Sequence, residues 1–272
     1  MRFENPKIPE GINTSPDHPL KEFVSLLGGV LLVIAIGVGV LSLMAEFLAA
    51  GIPFRYETEL ARYFQNSTTE RSEIGDYLQE IADRLARAQS LPADMRINVH
   101  YADEPVVNAF ATLGGHIVIY RGLIEKMPSE NALAMVISHE VAHIKHRDPI
   151  IALGRGAVIG IALAALAGIS AESIAETVVG KAGLLTALTF SRKQEGQADA
   201  TALAALVSVY GHAAGVTDVF NLFTDMQNEN FVHMPEFLST HPDPQRRIKS
   251  IEQQILDHDW SADKATRPLP QL

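Results

Sequence analysis

Ser138-His139-Glu140-Val141-Ala142-His143-Ile144 is the stretch from which the rest of the chain can be read. As a helix it places His139 and His143 on one face, about 5–6 Å apart, so that both imidazoles can aim at one point. Two neutral imidazoles at that spacing suit a zinc ion. Glu140 projects to the side, where it can take a proton from a water held by the ion, and zinc lowers the pKa of such a water to about 7. The chemistry implied is hydrolysis of a peptide bond. The bland alternative is an amphipathic helix with two solvated histidines, and a third ligand decides between them.

Composition narrows the search for that ligand. The chain has 272 residues, with 22 Lys and Arg against 32 Asp and Glu, for a net charge of −10. Phosphate binding needs clustered positive charge, so nucleic acid is not an expected partner. There is no cysteine. Thiolate metal sites, disulfides and a cysteine nucleophile are therefore excluded, and any metal must be held by histidines and carboxylates.

Residues 1–22 carry Pro, Gly, Asn and Asp without apolar periodicity and read as a flexible tail. From Phe23 to Ala45 no residue is charged. As a helix that run rises roughly 35 Å, enough to cross a bilayer core of about 30 Å. Residues 23–50 are expected to be an uncleaved membrane anchor. The rival is a signal peptide cleaved near Leu48-Ala49-Ala50, although the apolar run exceeds a signal core. Arg2, Lys7 and Lys21 precede the run and Arg55 and Arg62 follow it. That bias puts the N-terminus in the cytoplasm and the rest of the chain outside it, which in a Gram-negative bacterium means a single-pass inner-membrane protein facing the periplasm.

Residues 57–90 read mainly as helix, with Ile74, Tyr77, Leu78, Ile81 and Leu85 at three- and four-residue steps. Arg96 to Tyr101 alternates as a strand. Asn108 to Tyr120 reads as two strands joined at Gly114-Gly115, a hairpin whose edge can pair with an extended peptide. Nothing ties His100 or His116 to the zinc helix by spacing. Ser129 is placed to cap that helix, with Glu130 near its positive end. After Asp148, residues 149–171 hold a single charge, Arg155. A second membrane span, a helix dipping into the bilayer surface and a helix packed on the catalytic core all fit that run, and the whole segment 149–190 reads as an apolar insertion.

Ser191 to Ala200 opens a further helix in which Glu195 and Asp199 lie four apart and face the same way. Two histidines and one Glu from a second helix, with one position left for water, make a catalytic zinc arrangement, and Asp199 can fix the tautomer of a liganding histidine. With these residues the chain resembles the membrane-associated zinc metallopeptidases that include the bacterial HtpX heat-shock protease, the CAAX prenyl protease and the mitochondrial Oma-type protease. The resemblance covers roughly residues 70–255. It rests on Asn108-Ala109-Phe110 with Gly114-Gly115, His139-Glu140-Val141-Ala142-His143, Glu195-x-x-x-Asp199, and His241-Pro242 followed by Arg246-Arg247-Ile248.

The resemblance implies a gluzincin fold, α+β but mostly α, with a small antiparallel sheet. It implies zinc ligands at His139, His143 and Glu195, a general base at Glu140, and Asp199 behind the ligands. It places His241 near the metal, where it can stabilise the oxyanion or cap the zinc at rest. Several members of the family carry multiple spans, whereas this chain has one clear span and is closer to the singly anchored members that handle misfolded envelope proteins.

The expected protein is thus a membrane-anchored zinc endopeptidase acting on polypeptides. Its catalytic domain is expected over 56–257, followed by a disordered tail over 258–272. A catalytically silent scaffold with a covered zinc site is the alternative. An aminopeptidase would need an acid near 108–116 to hold a free amino terminus, and none is present.

Overall fold

The computed structural model describes residues 19–64, 72–167, 190–228, 237, 240–241 and 243–270. The N-terminal tail to residue 18, the part of the apolar insertion from 168 to 189, and Pro242 lie outside the described residues.

The first helix, α1 (Pro19–Gly51), is apolar over most of Pro19–Ala49, and an 18-residue window within it has a mean hydropathy of 2.7. Leu26, Val33 and Phe47 stand exposed along it. A short helix, α2 (Phe54–Phe64), follows the Ile52-Pro53 bend, and then α3 (Glu73–Ala88), where the Ser72 side chain accepts from the Gly75 N–H. Leu78, Ile81, Ala82 and Leu85 form the buried stripe of α3, as its helical spacing predicts.

Strands β1 (Asn98–Ala102), β2 (Ala109–Thr112) and β3 (His116–Tyr120) form one sheet in the order β1-β3-β2. The sheet is small but mixed, not antiparallel throughout: β2 runs antiparallel to β3, and β1 runs parallel to it. The hairpin signal predicts only how neighbouring strands pair. After β1 the chain reverses and lays β2 two places away, leaving the central slot to β3, whose Ile117 and Ile119 are fully buried. Gly114 (φ 74°) and Gly115 (φ 84°) make the β2–β3 turn in the left-handed region. A Cβ on Gly115 would fall 1.9 Å from the Arg96 carbonyl oxygen, so no other residue fits there.

Helix α4 (Arg121–Lys126) leads to α5 (Glu130–Lys145), which starts on Ser129, whose Oγ accepts from the Ala132 N–H at 3.2 Å. Nearly all of α5 is buried, including its polar residues. It packs on α3, β2, α7 (Arg192–Tyr210) and α8 (Val216–Asn228). A capping box, Ser191 with Gln194, starts α7, and Gly211 at φ 77° ends it. The last helix, α9 (Pro244–Asp257), lies against α7 and α8.

Between them, α6 (Asp148–Ala167) runs along α1, where Gly154 meets Ala45 and Ala49 and Arg155 Nη1 lies 3.2 Å from Glu46 Oε1. The expectation of a disordered C-terminal tail fails for residues 258–270. The Ser261 carbonyl accepts from the Ala213 N–H and the Arg267 carbonyl from the Glu130 N–H, both at 2.8 Å, while Trp260 and Leu269 pack on the core. Backbone hydrogen bonds and two apolar anchors hold a segment whose polar composition suggested none.

Candidate metal centre

Three helices and the segment before α9 bring their buried polar residues to one place. From α5 come His139, Glu140 and His143; from α7 come Glu195 and Asp199; α9 supplies Arg247, and His241 precedes it. His139, His143, Glu195 and His241 each offer a donor atom, and these four atoms lie within 4.8 Å of one another. His139 Nε2 is 2.9 Å from His143 Nε2, 3.5 Å from Glu195 Oε2 and 3.3 Å from His241 Nδ1. Glu195 Oε1 is 3.4 Å from His143 Nε2 and 3.0 Å from His241 Nδ1. A tetrahedral zinc site with bonds of 2.0–2.1 Å has donor–donor edges of about 3.3 Å, so the donor set fits such an ion.

Three atoms support the same fit. Among the described residues, Glu140 Oε1 and His241 Nε2 are buried without a hydrogen-bond partner. Glu195 Oε2 approaches Arg247 Nη1 at 3.0 Å, but without the alignment of a hydrogen bond. Buried polar atoms are rarely left so; Glu195 Oε2 lies 3.5 Å from His139 Nε2, and Glu140 Oε1 and His241 Nε2 lie 3.5 Å from each other.

The charges make the same demand. Glu140, Asp148, Glu195 and Asp199 are all buried around this cluster, against one buried guanidinium, Arg247. A set of buried acids with so little compensation needs a cation. Burial disfavours charge on His143, yet the hydrogen bonds it makes to Asp148 and Glu195 outweigh it and lift its pKa to about 10. Burial also works against the Glu195 carboxylate, but His241, His139 and His143 hold it well below its ordinary range. His241 is pushed down by burial.

Each α5 histidine has a carboxylate behind it. His139 Nδ1 lies 3.0 Å from Asp199 Oδ1, and His143 Nδ1 lies 2.7 Å from Asp148 Oδ2. Such partners leave the Nε2 atoms free to face an ion. Asp199 in turn receives two bonds from Arg247, at 2.8 and 2.7 Å, and Arg247 pulls its pKa down against the effect of burial. Gln194 donates to the other oxygen of Asp148 at 2.6 Å.

Sequence reasoning found neither Asp148 nor the part played by Arg247. The available signal for Arg247 was a charged residue in the apolar stripe of α9, in line with Ile251 and Ile255. Phe190 stacks on His143 with ring centroids 4.0 Å apart, and Phe237 stacks on His241 at 4.5 Å. His100 and His116 sit apart from the cluster, their rings in contact on the sheet at 2.8 Å.

Glu140 is held by the sheet: the Ala111 N–H of β2 donates to its Oε2 at 2.7 Å. Ala111 therefore turns its backbone away from β3, and β2 is the edge strand beside the cluster.

A model of peptidase family M48 matches residues 74–255, which includes every residue of the cluster. The chain belongs to that family. Among curated M48-like relatives, a mitochondrial metalloendopeptidase OMA1 of Schizosaccharomyces pombe is 28% identical over 179 residues, covering 65% of this chain and 52% of its own length. A putative beta-barrel assembly-enhancing protease of Vibrio cholerae is 30% identical over 184 residues, covering 64% and 38%. A protease HtpX homolog of Caldanaerobacter subterraneus is 28% identical over 220 residues, covering 64% and 71%. The chain thus spans about half, or less, of the first two of these relatives. Membership of M48 agrees with the mostly helical fold and implies a metal, and His139, His143, Glu195 and His241 are the buried group that could hold one.

Proposed function

We propose that this M48 protein is a zinc-dependent endopeptidase, held to a membrane by α1, that cleaves polypeptides of a cell envelope. The observation that carries the reading is the placing of Glu140. One carboxylate oxygen is fixed by the Ala111 N–H, and the other has no hydrogen-bond partner among the described residues and lies 3.5 Å from His241 Nε2.

His139, His143 and Glu195 would hold the zinc, with Asp199 and Asp148 orienting the two imidazoles. Bound zinc supplies Lewis acidity, lowering the pKa of a water and polarising the scissile carbonyl. Glu140 Oε1 takes the proton of the attacking water and delivers it to the leaving amine. On the β2 edge the Ala111 N–H is taken by Glu140, and the remaining outward backbone groups, the Ala109 N–H and the Ala109 and Ala111 carbonyls, offer an extended substrate a strand to pair with, which binds peptides without selecting their side chains. His241 adds a fourth donor and lies 3.5 Å from Glu140, which supports a capped resting arrangement. With His241 withdrawn, His139, His143 and Glu195 would hold the ion, and the His241 imidazole would donate to the oxygen of the reacting carbonyl.

The apolar length and exposure of α1 support membrane anchoring, and the name of the Vibrio cholerae relative supports an envelope substrate. The deciding experiment is zinc content and casein cleavage, with and without chelator, on detergent-purified wild type and Glu140→Gln. Zinc in both with chelator-sensitive cleavage only in wild type is expected. Zinc without cleavage in wild type favours the alternative, a scaffold with a permanently covered site, and absence of zinc removes the reading altogether.

A further inference from the structure

One buried ion pair takes no part in the site as described. Arg147 lies between α5 and α6 with φ at +65°, a left-handed conformation that is strained for a non-glycine residue. Its guanidinium turns back toward the anchor: Nε lies 2.5 Å from Glu57 Oε1, and Nη2 donates to the Ile52 carbonyl at 2.7 Å. It also lies over the Phe54 ring, 5.6 Å from the centroid. The side chain of Glu57 is 3% exposed and that of Arg147 13%. A pair this buried is not a screened surface contact, and loss of one partner leaves a charge uncompensated.

The other oxygen of Glu57 faces the Gly114 N–H, 3.5 Å away in the turn of the β2–β3 hairpin. Helix α2 presses on that turn so closely that a Cβ on Gly114 would come within 2.9 Å of Ala61 Cβ and 3.1 Å of Thr58 Cα. Each end of the pair is therefore a short stretch of backbone from an atom of the centre. Arg147 adjoins Asp148, which orients His143. Gly114 closes the strand whose Ala111 N–H fixes Glu140.

The geometry points to Glu57 and Arg147 as a positioning pair that ties the segment joining α1 to α2 onto both the metal-holding His143 and the general base Glu140. Metal affinity and turnover then depend on how α2 docks against the hairpin turn. This inference rests on the roles proposed above for His143 and Glu140, and its test is arranged so that the two can fail separately.

The full chain in detergent is compared as wild type, Glu57→Gln, Arg147→Gly and the double variant, with Glu125→Gln in the exposed Arg121 pair as control. Arg147→Gly tolerates the positive φ and removes the whole side chain, so the isosteric Glu57→Gln separates loss of charge from loss of packing. Zinc affinity is read by chelator competition, the backbone of 108–113 by deuterium uptake, and turnover by casein cleavage per bound zinc. Each single variant is expected to weaken zinc binding roughly two- to thirtyfold and to lower kcat more than it changes KM. Exchange at 108–113 should quicken. The double variant should be no worse than the more affected single, because both remove one link, and the control should match wild type. If Arg147→Gly does not fold, the isosteric Glu57→Gln decides alone. Unchanged zinc affinity and exchange in Glu57→Gln, with only a lower unfolding temperature, would overturn the inference. Weakened zinc binding in a series where even wild type leaves casein intact would uphold the link and overturn the endopeptidase reading.

Discussion

The two ends of α5 hold buried carboxylates in opposite conditions. At the N-terminal end Glu130 is alone among donors: Tyr77 Oη at 2.9 Å, Tyr210 Oη at 2.8 Å and Arg84 Nη2 at 3.1 Å, with Arg267 Nη1 at 3.7 Å. At the C-terminal end Glu195 and Asp199 share Arg247, and among the described residues Glu140 Oε1 and His241 Nε2 have no hydrogen-bond partner. Burial is similar at both ends, so burial does not mark function. Saturation does. A carboxylate whose lone pairs are filled by protein donors secures the fold, and one left open toward other donors is arranged for something the chain does not itself supply.

That contrast can be broken most forcefully at Glu140. Glu140→Gln retains the shape and the metal donors but not the base, so cleavage should fall about 10²–10⁴-fold while zinc content stays at the wild-type level. Comparable activity in the variant would remove Glu140 from its role. Glu195→Gln should act in the other order, with most of the zinc lost on dialysis and activity lost as a consequence. Full zinc content in that variant would mean that His241 or another donor suffices without the carboxylate. Asp148→Asn tests a residue that touches no metal in the proposed arrangement. Loss of such a partner typically costs 10–100-fold in metal affinity, and an affinity change of about that size, read by chelator competition, is expected here.

What was legible in the sequence follows from how local each signal is. His139, Glu140 and His143 are set by the turn of one helix, and Glu195 with Asp199 by the turn of another, so spacing alone aligned them. Asp148 and Arg247 escaped because their roles depend on where the chain goes next. Asp148 reaches His143 only because Arg147 adopts a left-handed conformation and turns the backbone between two helices. Arg247 reaches Asp199 only because α9 returns across α7. The hairpin was legible from Gly114-Gly115, whereas the parallel pairing of β1 was not, since it depends on a reversal over 103–108 with no strong turn signature. The strap over 258–270 docks through main-chain groups at Ser261 and Arg267, and main-chain hydrogen bonds leave no mark on composition.

The saturated end of α5 yields the smallest effect and the sharpest control. Glu130→Gln should lower stability by about 1–3 kcal/mol, read by denaturant unfolding, without changing zinc affinity. Its pH dependence has a definite sign. Burial would raise the Glu130 pKa, but hydrogen bonds from Tyr210, Arg84 and Tyr77 outweigh it and hold the folded value below the ordinary one. The unfolded chain titrates near about 4.3, so between the two values it binds more protons than the folded protein does. The stability from this carboxylate is therefore fully present above the unfolded value and is lost as pH falls through the folded one. The gap between wild type and Glu130→Gln should be widest near neutrality and should narrow on acidification below about pH 4. A gap that held constant or widened there would mean that Glu130 acts by packing and not by charge. Zinc release follows a different course, because protons compete with the ion for the imidazole nitrogens that hold it, and a free imidazole takes up its proton at higher pH than a carboxylate does. Two acid transitions, the upper one shifted by added zinc and the lower one altered by Glu130→Gln, would separate the open end of the helix from the closed one in a single titration.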